Sequence, residues 1–160
     1  MKKIIFLILF SLILSSSLNA LQSFTLNTLT NRAINITNYE GNFLFTDEEY
    51  KNREVLLFFF GKHCHYCIKE TPYIIELAKK RVNNLKIIGI HAQNRIDNKT
   101  LQEFVQKQKM NFDVLTYQEG MKLVRYLQKR SMWIGGVPFH VIVDRDGNLE
   151  SVEFETLLKK

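Results

Sequence analysis

The chain has 160 residues, of which 46% are hydrophobic and 24% charged. This length and composition suit one compact domain with a sizeable core and argue against two domains. The formal net charge is +6, and it falls to +4 without Lys2 and Lys3. The remaining basic residues are spread over helix-like segments as solvated faces usually are, so nucleic acid is not expected as a partner.

The first twenty residues differ from the rest of the chain. A basic pair opens it, an almost entirely apolar run follows over residues 4–14, and small residues lead up to Ala20. This is the layout of a secretory signal peptide, and the apolar run is shorter than the roughly 20 residues of a spanning helix. We predict a signal peptide over 1–20 and a periplasmic mature domain over 21–160. An uncleaved signal that anchors the protein to the membrane is the alternative.

The first part of the mature domain reads as a series of β-strands. Residues 23–27 and 33–37 alternate apolar with polar side chains, which predicts a half-buried N-terminal β-hairpin at an edge. Thr46 and the acidic residues after it predict the cap of a short helix. The continuous apolar run 55–60 predicts a central strand buried on both faces, and this strand leads directly to Cys64.

Strands and helices then alternate to the end of the chain. A helical spacing of apolar residues runs from Cys64 to about Val82, with Pro72 inside it, and predicts a kinked helix. Further strands are predicted over 85–90, 112–115, 139–143 and 149–154, and further helices over 100–108 and 118–128, with the last two strands forming a hairpin. The order predicts an α/β fold with a central mixed sheet flanked by helices.

Both cysteines of the chain, Cys64 and Cys67, lie in one Cys-x-x-Cys motif. A bridge across so short a loop removes little entropy from the unfolded chain, so a structural role is a poor explanation. The predicted helix places Cys64 at its N-terminus, where free N–H groups and the helix dipole favour a thiolate. Together with export, this predicts redox chemistry, in which Cys64 attacks a disulfide and the more buried Cys67 resolves the mixed disulfide. No metal and no cofactor beyond the redox-active Cys64–Cys67 disulfide are expected.

Four segments resemble the TlpA/ResA-like thioredoxin family. Residues 58–72, which read FFFGKHCHYCIKETP, are similar to its active-site stretch. Residues 136–138 and 141–147 are similar to its Gly-Val-Pro strand and Asp-x-x-Gly turn, and 85–125 resembles its central βα insertion. The resemblance covers most of the mature chain. It implies a thioredoxin-like fold and a thiol-disulfide oxidoreductase.

The resemblance also implies roles for further residues. The Val137–Pro138 peptide bond is expected to be cis and to lie beside Cys64, where the neighbouring backbone pairs with an extended substrate. Glu70 matches the family's active-site carboxylate, which is expected to accept the proton of Cys67. The family's common role implies a reductant in cytochrome c maturation. Its partners would be exported thiol or disulfide proteins, apocytochrome c among them, and a membrane thiol-redox partner.

The sequence departs from the family in three places. His63 stands where the family usually has tryptophan, so His63 and His65 flank the nucleophile, and a protonated histidine there would make the protein more oxidising. Two solvent-facing histidines with slight effect are the alternative. Tyr66, the second of the two residues between the cysteines, resembles the residue at this position in periplasmic disulfide isomerases. An oxidase or isomerase is therefore the alternative function. Only residues 155–160 follow the last hairpin, so we expect no closing helix and a partly uncovered sheet face that a partner or a second copy, as in a homodimer, would cover.

A metal-binding protein is the alternative of another class. The histidines and cysteines of 63–67, joined by His91 or His140, could bind copper or zinc, and two thiols suit the Cu(I) of a metallochaperone. His91 and His140 could instead face the active site, although structural histidines are more common. Trp133 is a candidate to shield the cysteines, with packing of its own loop as the alternative.

Overall fold

The computed structural model describes residues 22–81, 83–130 and 132–159. The predicted signal peptide over 1–20 lies outside the described residues, and so does Val82 at the expected end of the first helix. Within the described ranges, no helix has the length and apolar character that a membrane crossing requires.

The described strands form two sheets. The first is antiparallel, with the order β1-β2-β3, and consists of β1 (Gln22–Asn27), β2 (Ala33–Tyr39) and β3 (Asn42–Phe45). The second has the order β6-β5-β4-β7-β8 and consists of β4 (Glu54–Phe60), β5 (Leu85–His91), β6 (Asp113–Val114), β7 (Phe139–Val143) and β8 (Leu149–Ser151). Strands β4, β5 and β6 are parallel, whereas β7 is antiparallel to both β4 and β8. The central sheet is therefore mixed, as predicted.

Four helices accompany these strands in the described part of the chain. They are α1 (His65–Lys80), α2 (Asn98–Lys107), α3 (Tyr117–Lys129) and α4 (Phe154–Lys159). Helix α1 connects β4 to β5, which are parallel neighbours, so this unit is a strand-helix-strand crossover. Asp97 and Thr116 cap α2 and α3 by accepting hydrogen bonds from backbone N–H groups of the first turn.

Strand β4 divides the core into two halves. Successive strand residues point to opposite faces of a sheet, and every residue from Val55 to Phe60 is fully buried. Val55, Leu57 and Phe59 pack with the three-stranded sheet and α3. The alternate residues of β4 pack with apolar residues of α1, α2 and α4, and both cysteines belong to this second half.

The first sheet differs from the sequence prediction in two ways. It has a third strand, β3, joined to β2 through Glu40 and Gly41, which both have positive φ (51° and 99°), as a two-residue hairpin turn requires. The short helix predicted after Thr46 is wrong, because the segment is a turn. Asp47 does not cap a helix there, since its carboxylate accepts hydrogen bonds from the backbone and side chain of Asn35 on β2.

The C-terminus also corrects the prediction. The expected strand 149–154 ends at Ser151, and the expected absence of a closing helix is wrong, because α4 follows. Leu157 of α4 is 2% exposed, and the ring of Phe154 packs against Tyr73 of α1 and His140 of β7. This face of the sheet is covered by the chain itself, so the observation that suggested a second copy falls away.

Candidate active site

Cys64 and Cys67 form a disulfide at the N-terminus of α1. Cys64 is the N-cap residue, and its Sγ accepts a 3.1 Å hydrogen bond from the backbone N–H of Cys67. Cys64 is 7% exposed and Cys67 is 1% exposed, so the predicted resolving cysteine is the more buried one. In the reduced protein the same N–H group and the helix dipole would stabilise a thiolate on Cys64.

The loop that carries Pro138 lies directly opposite Cys64. The Val137–Pro138 peptide bond is cis, as the resemblance implies. The carbonyl oxygen of Val137 is 3.5 Å from Cys64 Sγ. The loop is half-buried at both residues, so it forms one wall of the approach to the nucleophile.

Two side chains bind the backbone just before Cys64: His91 at the end of β5, and Gln93 two residues beyond it. The N–H of Lys62 donates to Nε2 of His91 at 3.2 Å, and the N–H of His63 donates to Oε1 of Gln93 at 3.1 Å. Burial, aided by the nearby positive charges of His63 and Lys62, lowers the pKa of His91 to about 4. His91 thus faces the active-site loop as a neutral acceptor. Sequence reasoning missed Gln93, although its position just beyond a strand parallel to β4 was a usable signal.

Glu70, three residues after Cys67 on α1, lies next to His140 of β7. Oε2 of Glu70 lies 3.2 Å from Nε2 of His140. His140 is 4% exposed, and its ring is stacked between the rings of Phe58 and Phe154, with centroid distances of 5.4 and 5.9 Å. Sequence reasoning selected both residues separately and did not predict that they meet.

The residues expected to tune the redox pair are on the surface. His63, His65 and Tyr66 are all exposed, and Tyr66 has 68% of its surface in solvent. The rings of His65 and Tyr66 touch edge to face in the first turn of α1. All three side chains are therefore accessible to solvent close to Cys64 in the chain.

The sequence match to known families is broad. The model of the AhpC/TSA family matches residues 19–152. The chain belongs to the AhpC/TSA family. The matched range contains the Cys-x-x-Cys motif, Glu70 and the cis Val137–Pro138 bond. No curated protein sequence matches the chain.

Solved structures share the fold of this AhpC/TSA-family protein. A secreted disulfide oxidoreductase of Mycobacterium tuberculosis, homologous to E. coli DsbE, has a TM-score of 0.60 at 23% identity, over 85% of this chain and 92% of that one. The thioredoxin domain of a Bacteroides vulgatus thiol-disulfide oxidoreductase has a TM-score of 0.63 at 18% identity, over 91% and 95%. The exposed lipoprotein thioredoxin of Streptococcus pneumoniae has 0.61 at 16% identity, over 86% and 96%. The likeness confirms the thioredoxin-like fold.

The family and the cysteine geometry together establish the chemistry. A disulfide formed by an N-cap cysteine and a buried cysteine one helical turn later, in an AhpC/TSA-family chain, is a redox centre. The protein is a redox enzyme, a thiol-disulfide oxidoreductase with a Cys64–Cys67 disulfide in its Cys-x-x-Cys motif.

The two remaining sequence hypotheses fare differently. Among the described residues, no three or more His, Cys, Asp or Glu side chains are grouped to hold a metal ion, so nothing there favours the metallochaperone. Trp133 packs its own loop, as the alternative predicted. Its ring contacts Phe59 and Phe139 in the half of the core that lacks the cysteines, and its Nε1 donates to the carbonyl of Gly136 at 2.6 Å.

Proposed function

We propose that this oxidoreductase is exported to the periplasm after cleavage at Ala20 and there reduces disulfides of extracytoplasmic proteins, apocytochrome c among them. The observation that carries the proposal is the position of Cys64. Its Sγ accepts a hydrogen bond from the N–H of Cys67 and lies 3.5 Å from the carbonyl oxygen of Val137, in the cis-proline loop. Export is supported by the signal-like residues 1–20 and by relatives of the same fold that are named as secreted or exposed. Resemblance of residues 58–72 to the TlpA/ResA-like family supports the reducing direction.

The reaction divides between the two cysteines. The Cys64 thiolate attacks one sulfur of the substrate disulfide, and the other substrate sulfur leaves as a thiolate. Cys67 then loses its proton and attacks the Cys64 sulfur, which releases the second substrate thiolate and forms the Cys64–Cys67 disulfide. A membrane thiol-redox partner supplies two electrons and two protons to restore the dithiol. The backbone next to Pro138 would pair with the substrate chain during these steps.

An oxidase or isomerase is the second candidate. It is favoured by the exposed His65 in the first turn of α1, because a protonated imidazole near the Cys64 thiolate stabilises the reduced form and raises the reduction potential. The two candidates share the same two cysteines and differ in the direction of electron flow.

The equilibrium reduction potential in glutathione buffers separates the candidates. On protein that lacks residues 1–20, a value near about −270 mV supports the reductant, and a value above about −180 mV supports the oxidase or isomerase. Substrates are trapped in vivo with the Cys67→Ser variant, which can form a mixed disulfide at Cys64 and cannot resolve it. The Cys64→Ser,Cys67→Ser double variant is the matched control, because it should trap nothing. Determination of the mature N-terminus from a periplasmic extract tests cleavage after Ala20.

A further inference from the structure

The contact between Glu70 and His140 contains two buried polar atoms that have no hydrogen-bond partner. Neither Oε2 of Glu70 nor Nε2 of His140 reaches solvent, and neither makes a hydrogen bond in the disulfide form. The atoms are nevertheless 3.2 Å apart. The two atoms are thus close enough for a hydrogen bond, but their geometry does not form one. Buried polar atoms without a hydrogen bond destabilise the folded protein, so the arrangement calls for an explanation other than stability.

A carboxyl oxygen and an imidazole nitrogen at this distance can be satisfied in two ways. Either Nε2 carries a hydrogen and the carboxylate accepts it, or the carboxyl group carries the hydrogen and Nε2 accepts it. A proton can therefore reside on Glu70 or on His140 with little movement of either side chain. A catalytic hydrogen bond that is poorly aligned in one state and tightens in another is common in enzymes.

The surroundings isolate this pair from other charges. Helix α1 contributes Glu70 itself and, three residues earlier on the same face, Cys67. Strand β4 contributes the ring of Phe58, and α4 contributes the ring of Phe154. Lys69, which precedes Glu70, and Glu153, which precedes Phe154, are both exposed. The described ion pairs join no further residue to Glu70 or His140.

Glu70 is the more solvent-exposed member of the pair. The Glu70 side chain is 15% exposed although its Oε2 is buried, whereas the His140 side chain is 4% exposed. A proton taken up by Glu70 can therefore leave to water through the other carboxyl oxygen. His140 is placed to bind Oε2 of Glu70 while the other carboxyl oxygen exchanges its proton.

We propose that His140 is a positioning residue for proton transfer at the resolving cysteine: it holds Glu70 ready to accept the proton of Cys67 and to return it when the disulfide is reduced. This role rests on the dithiol chemistry proposed above. In the resolving step the Cys67 thiol gives its proton to Glu70, its sulfur bonds to Cys64, and the Cys64–substrate bond breaks to release a substrate thiolate. In the reverse direction the proton returns from Glu70 to the Cys67 thiolate.

The test follows the reduced protein as it reacts with one equivalent of 5,5′-dithiobis(2-nitrobenzoate) by stopped flow. The first nitrothiobenzoate is released when Cys64 attacks, and the second is released when Cys67 resolves the mixed disulfide. Glu70→Gln should slow the second phase about 100-fold or more, the usual contribution of a general base, and leave the first phase unchanged. Glu76→Gln is the matched control, because Glu76 lies on the same helix and its side chain is 56% exposed in a surface pair with Lys79.

His140 is tested by the pH dependence of the second phase. His140→Phe keeps an aromatic ring between Phe58 and Phe154 but leaves Oε2 of Glu70 without a polar partner. The inflection of the second phase should then move to higher pH, and His140→Gln, which restores a donor, should move it less. A merely structural histidine would change the stability and leave the inflection in place.

The outcomes separate this inference from the proposed function. A normal first phase with the same second-phase inflection in wild type and His140→Phe would overturn the role of His140. Loss of the first phase in the wild type would instead overturn Cys64 as the nucleophile, and with it the proposed function. Thermal unfolding of each variant checks that a slow second phase does not come from an unfolded protein.

Discussion

Nε2 of His91 accepts a 3.2 Å hydrogen bond from the backbone N–H of Lys62, two residues before the nucleophilic cysteine. An imidazole that accepts through Nε2 must carry its proton on Nδ1 when it is neutral. The low pKa of His91, about 4, keeps the ring in this form at neutral pH. Protonation would place an N–H group against the N–H of Lys62 and remove the bond, so the shape of the loop before Cys64 depends on a neutral His91.

The first prediction concerns stability in acid. Above the ordinary histidine pKa of 6.5, His91 is neutral in both the folded and the unfolded chain, so it makes no contribution to pH dependence. Between about pH 6.5 and the folded pKa of about 4, only the unfolded chain takes up the proton. The free energy of unfolding should therefore fall as pH decreases through this window, by about 3 kcal/mol in all, since one pKa unit corresponds to about 1.4 kcal/mol.

Urea unfolding of wild type and His91→Gln at about pH 7 and about pH 4 measures this effect. Glutamine can accept the Lys62 hydrogen bond and does not titrate. The variant should therefore lose about 3 kcal/mol less than the wild type between the two pH values. An equal loss in both proteins would show that His91 is not the group responsible.

The second prediction concerns Gly61, which ends the run from β4. A Cβ atom at this position would collide with the end of the Gln93 side chain. Because that side chain is flexible, Gly61→Ala should displace it and free the N–H of His63, rather than disrupt the sheet. Gly61→Ala and Gln93→Ala should each destabilise the fold by about 1 kcal/mol, the usual net value of one hydrogen bond. Since both remove the same bond, the double variant should cost less than the sum, and additive free energies of unfolding would contradict this explanation.

The sequence predicts the parts of the fold that carry a sustained apolar pattern. The apolar run 55–60 identifies the central strand, and the strand-to-helix transition at Cys64 identifies the reactive centre. Strand β3 and helix α4 were missed because they are short, at four and six residues, and their patterns are too brief to show a period. Their existence depends on tertiary contacts, such as burial of Leu157 among residues of the cysteine-containing half of the core.

For the site, too, the sequence predicts the local features and not the contacts between distant segments. Cys64, Cys67, Glu70 and the cis bond at Pro138 follow from a local motif and from the resemblance. Contacts between distant segments do not, because they depend on which strands become neighbours. His140 meets Glu70 because β7 pairs with β4, and Gln93 reaches His63 because β5 pairs with β4 on the other side.

The third prediction concerns His65 and the reduction potential. His65 is exposed in the first turn of α1, one residue from the nucleophile. A positively charged imidazole there would stabilise the Cys64 thiolate and hence the reduced form, so His65→Ala should lower the reduction potential by about 10–20 mV. Equilibration in glutathione buffers measures it, and His63→Ala is the comparison, because it removes the other histidine that flanks Cys64. An unchanged potential would make His65 a surface residue without a redox role.

The fourth prediction concerns Trp133 and the loop that faces Cys64. The indole is 5% exposed, its ring stacks on Phe139, and its N–H holds the carbonyl of Gly136, the residue before Val137. Trp133→Phe keeps an aromatic ring and loses the hydrogen bond, which should cost about 1 kcal/mol of unfolding free energy. Trp133→Ala also leaves a cavity and should cost about 3–5 kcal/mol.

The same loop provides a functional readout for Trp133→Phe. Val137 and Pro138 would contact an extended substrate chain, whereas a small aromatic disulfide needs only access to Cys64. Loosening the loop should therefore slow the reduction of a protein disulfide more than the reaction with 5,5′-dithiobis(2-nitrobenzoate). Parallel rate measurements on the two substrates decide the matter, because an equal slowing would mean that Trp133 acts on Cys64 itself and not on the substrate-facing loop.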